Sequence, residues 1–221
     1  MQKLIIFFLL IFSSISYSQD FDKLADAVVD KDLVKVDSLI ISGIDVNIVD
    51  ENKGATVLLI ACSFKGYEEI VQFLISNEAD VNYKSKDGKT PLMLAAGISF
   101  ETTKILIENG ADVNVKAEDG MTAFFHATFG ILSKKVTTDV MDLLLEYEID
   151  INHSLTGKDA AGWTALLFAT INGDKDLVKY LILHGANVNH TSDDGVTALS
   201  LAKQEKFTSL VKLLKKHGAL E

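Results

Sequence analysis

One short motif closes five successive segments of this chain: an acidic or amide residue followed by Val-Asn or Ile-Asn. Its asparagines are 35, 32, 38 and 37 residues apart, so a unit of roughly 33 residues is repeated with small insertions. Such a period predicts stacked units, each of which contacts only its neighbours. The five copies are Asp45-Val46-Asn47, Asp80-Val81-Asn82, Asp112-Val113-Asn114, Asp150-Ile151-Asn152 and Asn187-Val188-Asn189.

A second motif, Gly-x-Thr, recurs at the start of the units. The glycine can adopt the positive φ of a tight turn, and the threonine can cap a helix that begins after it. A second, longer helix is predicted behind each first one, as over 176–184, where Gly185 ends the helix. The Gly-x-Thr copies are Gly54-Ala55-Thr56, Gly88-Lys89-Thr90, Gly120-Met121-Thr122, Gly162-Trp163-Thr164 and Gly195-Val196-Thr197.

The run Thr90-Pro91-Leu92-Met93-Leu94-Ala95-Ala96, closed by the segment 109–114, resembles the ankyrin repeat with its T-P-L-H-x-A core. The resemblance covers residues 21–221 and implies an all-α solenoid of helix-turn-helix units joined by β-turn loops. We expect one domain over 19–221 with six units: 21–53 as N-terminal cap, 54–87, 88–119, 120–161, 162–194 and 195–221 as C-terminal cap.

The chain departs from the family pattern at the histidine that ties one turn to the next. That position holds Leu59, Met93, Phe125, Leu167 and Ser200. We therefore expect weaker ties between turns, with apolar packing in their place.

Residues 1–18 combine Lys3, an apolar run over 4–12 and a Ser-rich end. A membrane span needs about 20 apolar residues, and this run is about half as long. The pattern therefore favours a signal peptide cut before Gln19 over an anchor, and predicts a periplasmic or secreted protein.

Charge and cysteine content exclude several classes of partner and site. The net charge is −10, and all 21 basic residues are lysines, which disfavours nucleic acid and anionic membrane surfaces. Cys62 is the only cysteine, so no internal disulfide can form, and we expect a buried, inert thiol. Secretion, lysine without arginine and no disulfide together fit a bacterial protein.

No arrangement of residues indicates catalysis, a cofactor or a metal. His153 and His190 both follow a closing asparagine and so lie at least one repeat apart, which is not the spacing of a metal site. The recurring aspartates near the turns support turn geometry. We predict that the protein is not an enzyme.

The unit 120–161 is interrupted twice. Thr122 and Asn152 are 30 residues apart where the regular unit needs 25, and the extra residues fall near 131–139, between the two helices. A second insertion occupies 153–158. Insertions become loops, which carry function more often than the elements they join, but surface insertions also cost little stability. Enzymatic activity would require both insertions to build one pocket.

The ankyrin resemblance implies a concave face of turn tips and first helices that binds another protein. Trp163 is the leading candidate, because nothing in the repeat requires a large aromatic residue there, and exposed tryptophan is typical of binding hot spots. The alternative is that Trp163 folds over Leu155 and holds the second insertion. The predicted partner-binding residues are Phe64, Lys86, Lys89, Ile98, Met121, Phe129, Trp163, Ile171, Asn172 and Asp193.

The sequence thus predicts a monomeric, non-enzymatic module that binds a protein partner outside the cytoplasm. Two more specific versions stay open. One is an immunity-type inhibitor or accessory protein of an exported toxin or enzyme. The other is a secreted effector.

Overall fold

Residues 19–220, which the computed structural model describes, form six successive helix pairs. The predicted signal peptide, 1–18, lies outside the described residues. The all-α helix-turn-helix solenoid is confirmed. The pairs are α1 (19–29) with α2 (Leu33–Ile41), α3 (Val57–Cys62) with α4 (Glu68–Ser76), α5 (Pro91–Ala96) with α6 (Phe100–Glu108), α7 (Ala123–Leu132) with α8 (Asp139–Leu145), α9 (Ala165–Ile171) with α10 (Lys175–Leu183), and α11 (Ala198–Gln204) with α12 (Thr208–Lys216).

Each unit after the first opens with a turn, here called the tip, that projects before the first helix of the pair. At the first tip, β1 (Val49–Asp50) pairs antiparallel with β2 (Ala55–Thr56). The predicted threonine caps are present at four helix starts, where the side chain accepts the N–H of the third residue along, as at Thr90 with Met93 at 3.3 Å. At Thr164 the prediction is wrong: its buried hydroxyl makes no hydrogen bond within 19–220.

One continuous core runs the length of the stack. Each unit adds alanines of its first helix and Leu, Ile or Val of its second, such as Ala95 and Leu106, both completely buried. The two helices of a pair cannot bury these faces alone, so stability depends on neighbouring units. Cys62 lies in this core, and burial raises the pKa of its thiol.

The predicted weakness of the ties between turns is confirmed at the Gly88 tip, where Val115 follows the closing asparagine and packs with Met93 and Ala117. It is wrong at the other three tips, because there the side chain after the closing asparagine reaches the carbonyl of the preceding tip glycine. Tyr83 donates to Gly54 O at 3.1 Å, and the Nε2 atoms of His153 and His190 lie 2.9 and 2.7 Å from the carbonyls of Gly120 and Gly162.

The closing asparagines form a second ladder along the stack. At four of the five, the side chain donates to the carbonyl of the second residue past the end of the next unit's second helix. The same side chain accepts the N–H of the residue two positions further on. Asn82, for example, donates to Gly110 O at 2.9 Å and accepts from Asp112 N at 2.7 Å. Asn47, Asn152 and Asn189 repeat this pattern.

The ladder is interrupted at Asn114. Among residues 19–220 its side chain makes no hydrogen bond, and a cavity of about 280 Å³ lies between it and the turn that contains Glu148 and Asp150. In the four turns that bind an asparagine, alanine immediately follows the residue whose carbonyl accepts the hydrogen bond. The untied turn carries Ile149, which lines the cavity.

The first insertion is placed differently from the prediction. Its first part lengthens a helix: α7 has 10 residues and includes Ile131 and Leu132, whereas α5 has 6. The loop between the helices is therefore only 133–138. This extra turn of helix brings Ser133 and Lys135 to the first-helix surface described next.

Candidate functional site: a groove along the first helices

The first helices present one side chain each at the same repeat position, the fourth residue after the helix-starting threonine. Ile60, Leu94, His126 and Phe168 are half-buried there, and the fifth member, Leu201, is buried. Sequence reasoning missed this row. The row could have been found from its constant position four residues after the helix-starting threonine, because residues at the same position of equivalent helices face the same side.

Two adjoining cavities lie along this row, and both are lined by Ser63 and Leu94. We call them together the first-helix groove. The tip section, about 210 Å³, also has Leu59, Ile60, Lys53, Asp87 and Lys89 in its lining. The exit section, about 220 Å³, has Ile98, His126, Phe129, Ser133 and Lys135, with Gly97 and Gly130.

Two glycines set the spacing of α5 and α7 at the exit section. A Cβ added at Gly130 would lie 2.6 Å from the carbonyl oxygen of Gly97 and 2.8 Å from Val136 Cγ2. A helix interior normally disfavours glycine by about 1 kcal/mol relative to alanine. The close backbone approach explains why glycine is present here, and it fixes the floor of the groove.

His126 is the polar member of the otherwise apolar row. Its Nδ1 lies 3.0 Å from Thr122 O, and because a carbonyl oxygen only accepts, Nδ1 carries the proton. Burial lowers the pKa of His126, and the nearby Lys89 lowers it further. The ring is therefore neutral at pH 7, and its Nε2, which has no hydrogen-bond partner among residues 19–220, holds a free lone pair.

Lysines dominate the charge of the groove. Lys53 and Lys89 line the tip section, and Lys135 lines the exit section. Asp87, the acidic residue of this lining, is paired with Lys89 at 2.7 Å. Hydrogen bonds from Lys89 and Ser85 hold the pKa of Asp87 below its usual range, so the pair stays ionised and the groove keeps a positive surplus.

Beyond the exit section the row continues into an aromatic cluster centred on Phe168. The ring centroids of Phe129 and Trp163 both lie 5.0 Å from that of Phe168, and Phe125 is 6.1 Å away, edge-on. These distances are those of favourable aromatic pairs. Trp163 is thus half-buried against its own first helix, and its link to the second insertion is a backbone hydrogen bond from Leu155 N at 2.9 Å.

Three of the predicted partner-binding residues line the groove, namely Lys89, Ile98 and Phe129. The others lie outside its two sections. Phe64 is 43% exposed and stacks on Tyr67 at 5.1 Å. Met121 packs beside Met93.

The remaining predicted residues have contacts within the stack. Lys86 donates to Glu51 O of the preceding tip at 2.5 Å. Trp163 joins the aromatic cluster, and Ile171 packs against the core. Asn172 donates to Phe168 O at 2.9 Å, and Asp193 N donates to Ala161 O at 3.2 Å.

The two insertions lie at opposite ends of α7. Ser133 ends this helix and lines the groove, whereas Thr156 and Gly157 donate their backbone N–H groups to Asp119 O, at the tip before the helix begins. Ten residues of α-helix span about 15 Å. The insertions therefore do not share a wall of the groove.

A search of residues 19–220 found no set of three His, Cys, Asp or Glu side chains placed to hold a metal ion. In the same part of the chain, no helix has both the length and the apolar character to cross a membrane.

A solenoid of helix pairs with an apolar groove along its first helices defines a repeat-built interaction module. Comparison with known families agrees: the family model for ankyrin repeats (three copies) matches residues 24–117, 63–154 and 133–220. The chain belongs to the ankyrin repeat family, whose repeats indicate protein–protein interaction.

Several curated proteins are similar in sequence. The putative ankyrin repeat protein YahD of Escherichia coli is 28% identical over 85% of this chain and 92% of its own length. Ankyrin repeat and SAM domain-containing protein 6 of Rattus norvegicus is 30% identical over 75% of this chain, which spans only 14% of that relative. Protein phosphatase 1 regulatory subunit 27 of Homo sapiens is 36% identical over 35% of this chain and 47% of its own length.

Proposed function

We propose that this protein binds a protein partner in the first-helix groove, without catalysis of its own, in the periplasm or outside the cell. One observation carries the proposal: a row of half-buried apolar side chains follows the first helices, with Ile60 and Leu94 in the lining of the groove and Phe168 beyond its exit section. Apolar surface that a fold leaves accessible in one strip is typical of a binding site. The export part rests on the sequence pattern of residues 1–18.

Site-specific photo-crosslinking in the native cells tests the location of the interface. A benzoylphenylalanine at position 98 is expected to capture a partner, and the same group at position 183 is not. Leu183 is a suitable control, because it is 65% exposed and lies on a second helix, α10. Phe129→Lys should abolish capture from position 98, since it puts a charge into the apolar exit section.

Equal capture from both positions, or capture from position 183 alone, would contradict the groove as the interface. The identity of the captured protein separates the two finer versions: an exported toxin or enzyme of the same cell indicates an inhibitor or accessory protein, and a protein of another cell indicates an effector. Fractionation of cells that carry the chain with and without residues 1–18 tests export.

A further inference from the structure

We propose that the exit section of the groove is an anchor pocket for one tyrosine side chain of the partner, whose hydroxyl donates a hydrogen bond to His126 Nε2. This inference rests on the proposed function and specifies the chemistry that the groove recognises.

The size of the exit section favours a single side chain. Sites for small molecules usually have about 300–1,000 Å³. The exit section has about 220 Å³ and is walled by Leu94, Ile98 and Phe129, with the backbone of Gly97 and Gly130 as its floor. It therefore accommodates one flat side chain, and the tip section, which adjoins it at Ser63 and Leu94, leaves room for the neighbouring residues of the partner.

Ser133 and Lys135 also line this pocket, but both are exposed and can keep water as a hydrogen-bond partner, so the half-buried His126 sets the preference for a ligand with a hydrogen-bond donor. Ser63 Oγ already donates to Leu59 O at 2.9 Å. His126 Nδ1 is engaged by Thr122, so Nε2 offers an acceptor and no donor. An acceptor covered by a ligand without a donor loses its water and gains no partner in return, which weakens binding by about tenfold or more. Phenylalanine or leucine in the pocket would incur that cost.

Tyrosine, tryptophan and histidine are the aromatic side chains with a donor. Histidine would place a second polar nitrogen against the apolar wall, and tyrosine is smaller than tryptophan. A narrow pocket with one acceptor therefore favours a phenol over an indole.

Charge adds a preference for the residues that flank this tyrosine. Lys135 lines the pocket and Lys53 lines the adjoining tip section, where Lys89 and Asp87 neutralise each other. This local positive surplus occurs on a chain with a net charge of −10. Acidic residues next to the anchor would be attracted to the groove and repelled by the rest of the surface, which fixes the position of the partner segment.

Two small probes test the anchor. The purified protein is titrated with p-cresol, the side chain of tyrosine, and with toluene, which lacks the hydroxyl, and the amide shifts of Gly97 and Gly130 are followed by NMR. We expect p-cresol to bind at least tenfold more tightly than toluene. In His126→Leu the two affinities should become equal, whereas Ser63→Ala should keep the preference, because Ser63 is satisfied within its helix. The NMR spectrum of each variant verifies that it is folded.

Peptide probes test the flanking charges. N-acetyl-Asp-Tyr-Asp-amide should bind more tightly than N-acetyl-Lys-Tyr-Lys-amide, and the difference should shrink at high salt. Equal binding of p-cresol and toluene by the unaltered protein, tighter binding of an indole probe such as 3-methylindole, or a preference for the lysine peptide would each overturn the anchor.

The outcomes separate this inference from the proposed function. If crosslinking from position 98 captures a partner while p-cresol and toluene bind equally, the groove is the interface and the tyrosine anchor is wrong. If crosslinking finds no partner, the proposed function fails even where the p-cresol preference is seen, and the tyrosine then has no protein to come from.

Discussion

Of two closing asparagines, Asn82 and Asn114, replacement by alanine should destabilise the stack at Asn82 and leave its stability unchanged at Asn114. Asn82→Ala removes both hydrogen bonds that this side chain makes to the third unit, one to Gly110 O and one from Asp112 N. Asn114→Ala removes a side chain that makes no hydrogen bond within residues 19–220. The two variants delete the same atoms at the same repeat position, so each is a matched control for the other.

The expected difference follows from the number of bonds lost. A typical intramolecular hydrogen bond contributes about 0.5–1.5 kcal/mol net, and both bonds of Asn82 lie at the surface, where water can replace them. We therefore expect Asn82→Ala to lower the free energy of unfolding by about 1–2 kcal/mol. Asn114→Ala should change it by less than about 0.5 kcal/mol, as for an ordinary surface substitution.

Urea denaturation followed by circular dichroism measures these differences, and amide hydrogen exchange locates them. Because units of a solenoid can unfold separately, the exchange of single amides is the more direct test. In the unaltered protein the N–H of Asp112 should be protected, and that of Asp150, its counterpart at the interrupted position, should exchange faster. Equal protection of the two amides, or equal destabilisation by Asn82→Ala and Asn114→Ala, would refute the interruption of the ladder.

Three further predictions concern the groove and its surroundings. Trp163→Ala removes the ring that lies 5.0 Å from that of Phe168 and should lower the melting temperature. An unchanged melting temperature, with partner binding weakened by about 2 kcal/mol in calorimetry, would instead make Trp163 a binding residue. Gly130→Ala should lower the melting temperature, because the added Cβ would lie 2.6 Å from Gly97 O, and this clash outweighs the higher helix propensity of alanine. Gly157→Ala is the control, since its added Cβ would lie 3.3 Å from the nearest atom and should change the melting temperature little. His126 has a lower pKa in the folded protein than in the unfolded chain, so the unfolded chain binds the proton more readily. The free energy of unfolding that this difference contributes is fully present above the ordinary pKa of histidine and is lost as the pH falls through the pKa of the folded protein. In urea titrations at a series of pH values, His126→Gln should remove this part of the pH dependence.

The elements that local sequence determines could be predicted well. A helix that starts after Gly-x-Thr needs only a positive φ at the glycine and a capping side chain, and four of the five threonines supply the cap. Thr164 has the same neighbours in sequence but does not cap. Thr56 and Thr90 are equally buried and do cap, so burial does not account for the difference.

The groove could be predicted only in part, because its floor depends on contacts between units. Ile98 and Phe129 were found from their place at the helix exits. The sequence predicts no role for His126, because the pocket around this residue is formed by two structural features. One is the contact between Gly97 and Gly130 that brings α5 against α7, and the other is the extra turn of α7 that ends at Ser133. Neither feature appears in a repeat alignment, where an insertion looks like a loop.

The third and fourth units are therefore joined unequally on their two sides. On the first-helix side, the backbones of Gly97 and Gly130 are in contact and fix the width of the exit section. On the opposite side, the asparagine tie is absent and a cavity of about 280 Å³ separates Asn114 from the next turn. Relative motion of the two units should then open that cavity before it disturbs the groove, because the side with fewer contacts yields first. A partner in the exit section therefore meets a preformed pocket, because the contact between Gly97 and Gly130 fixes its floor.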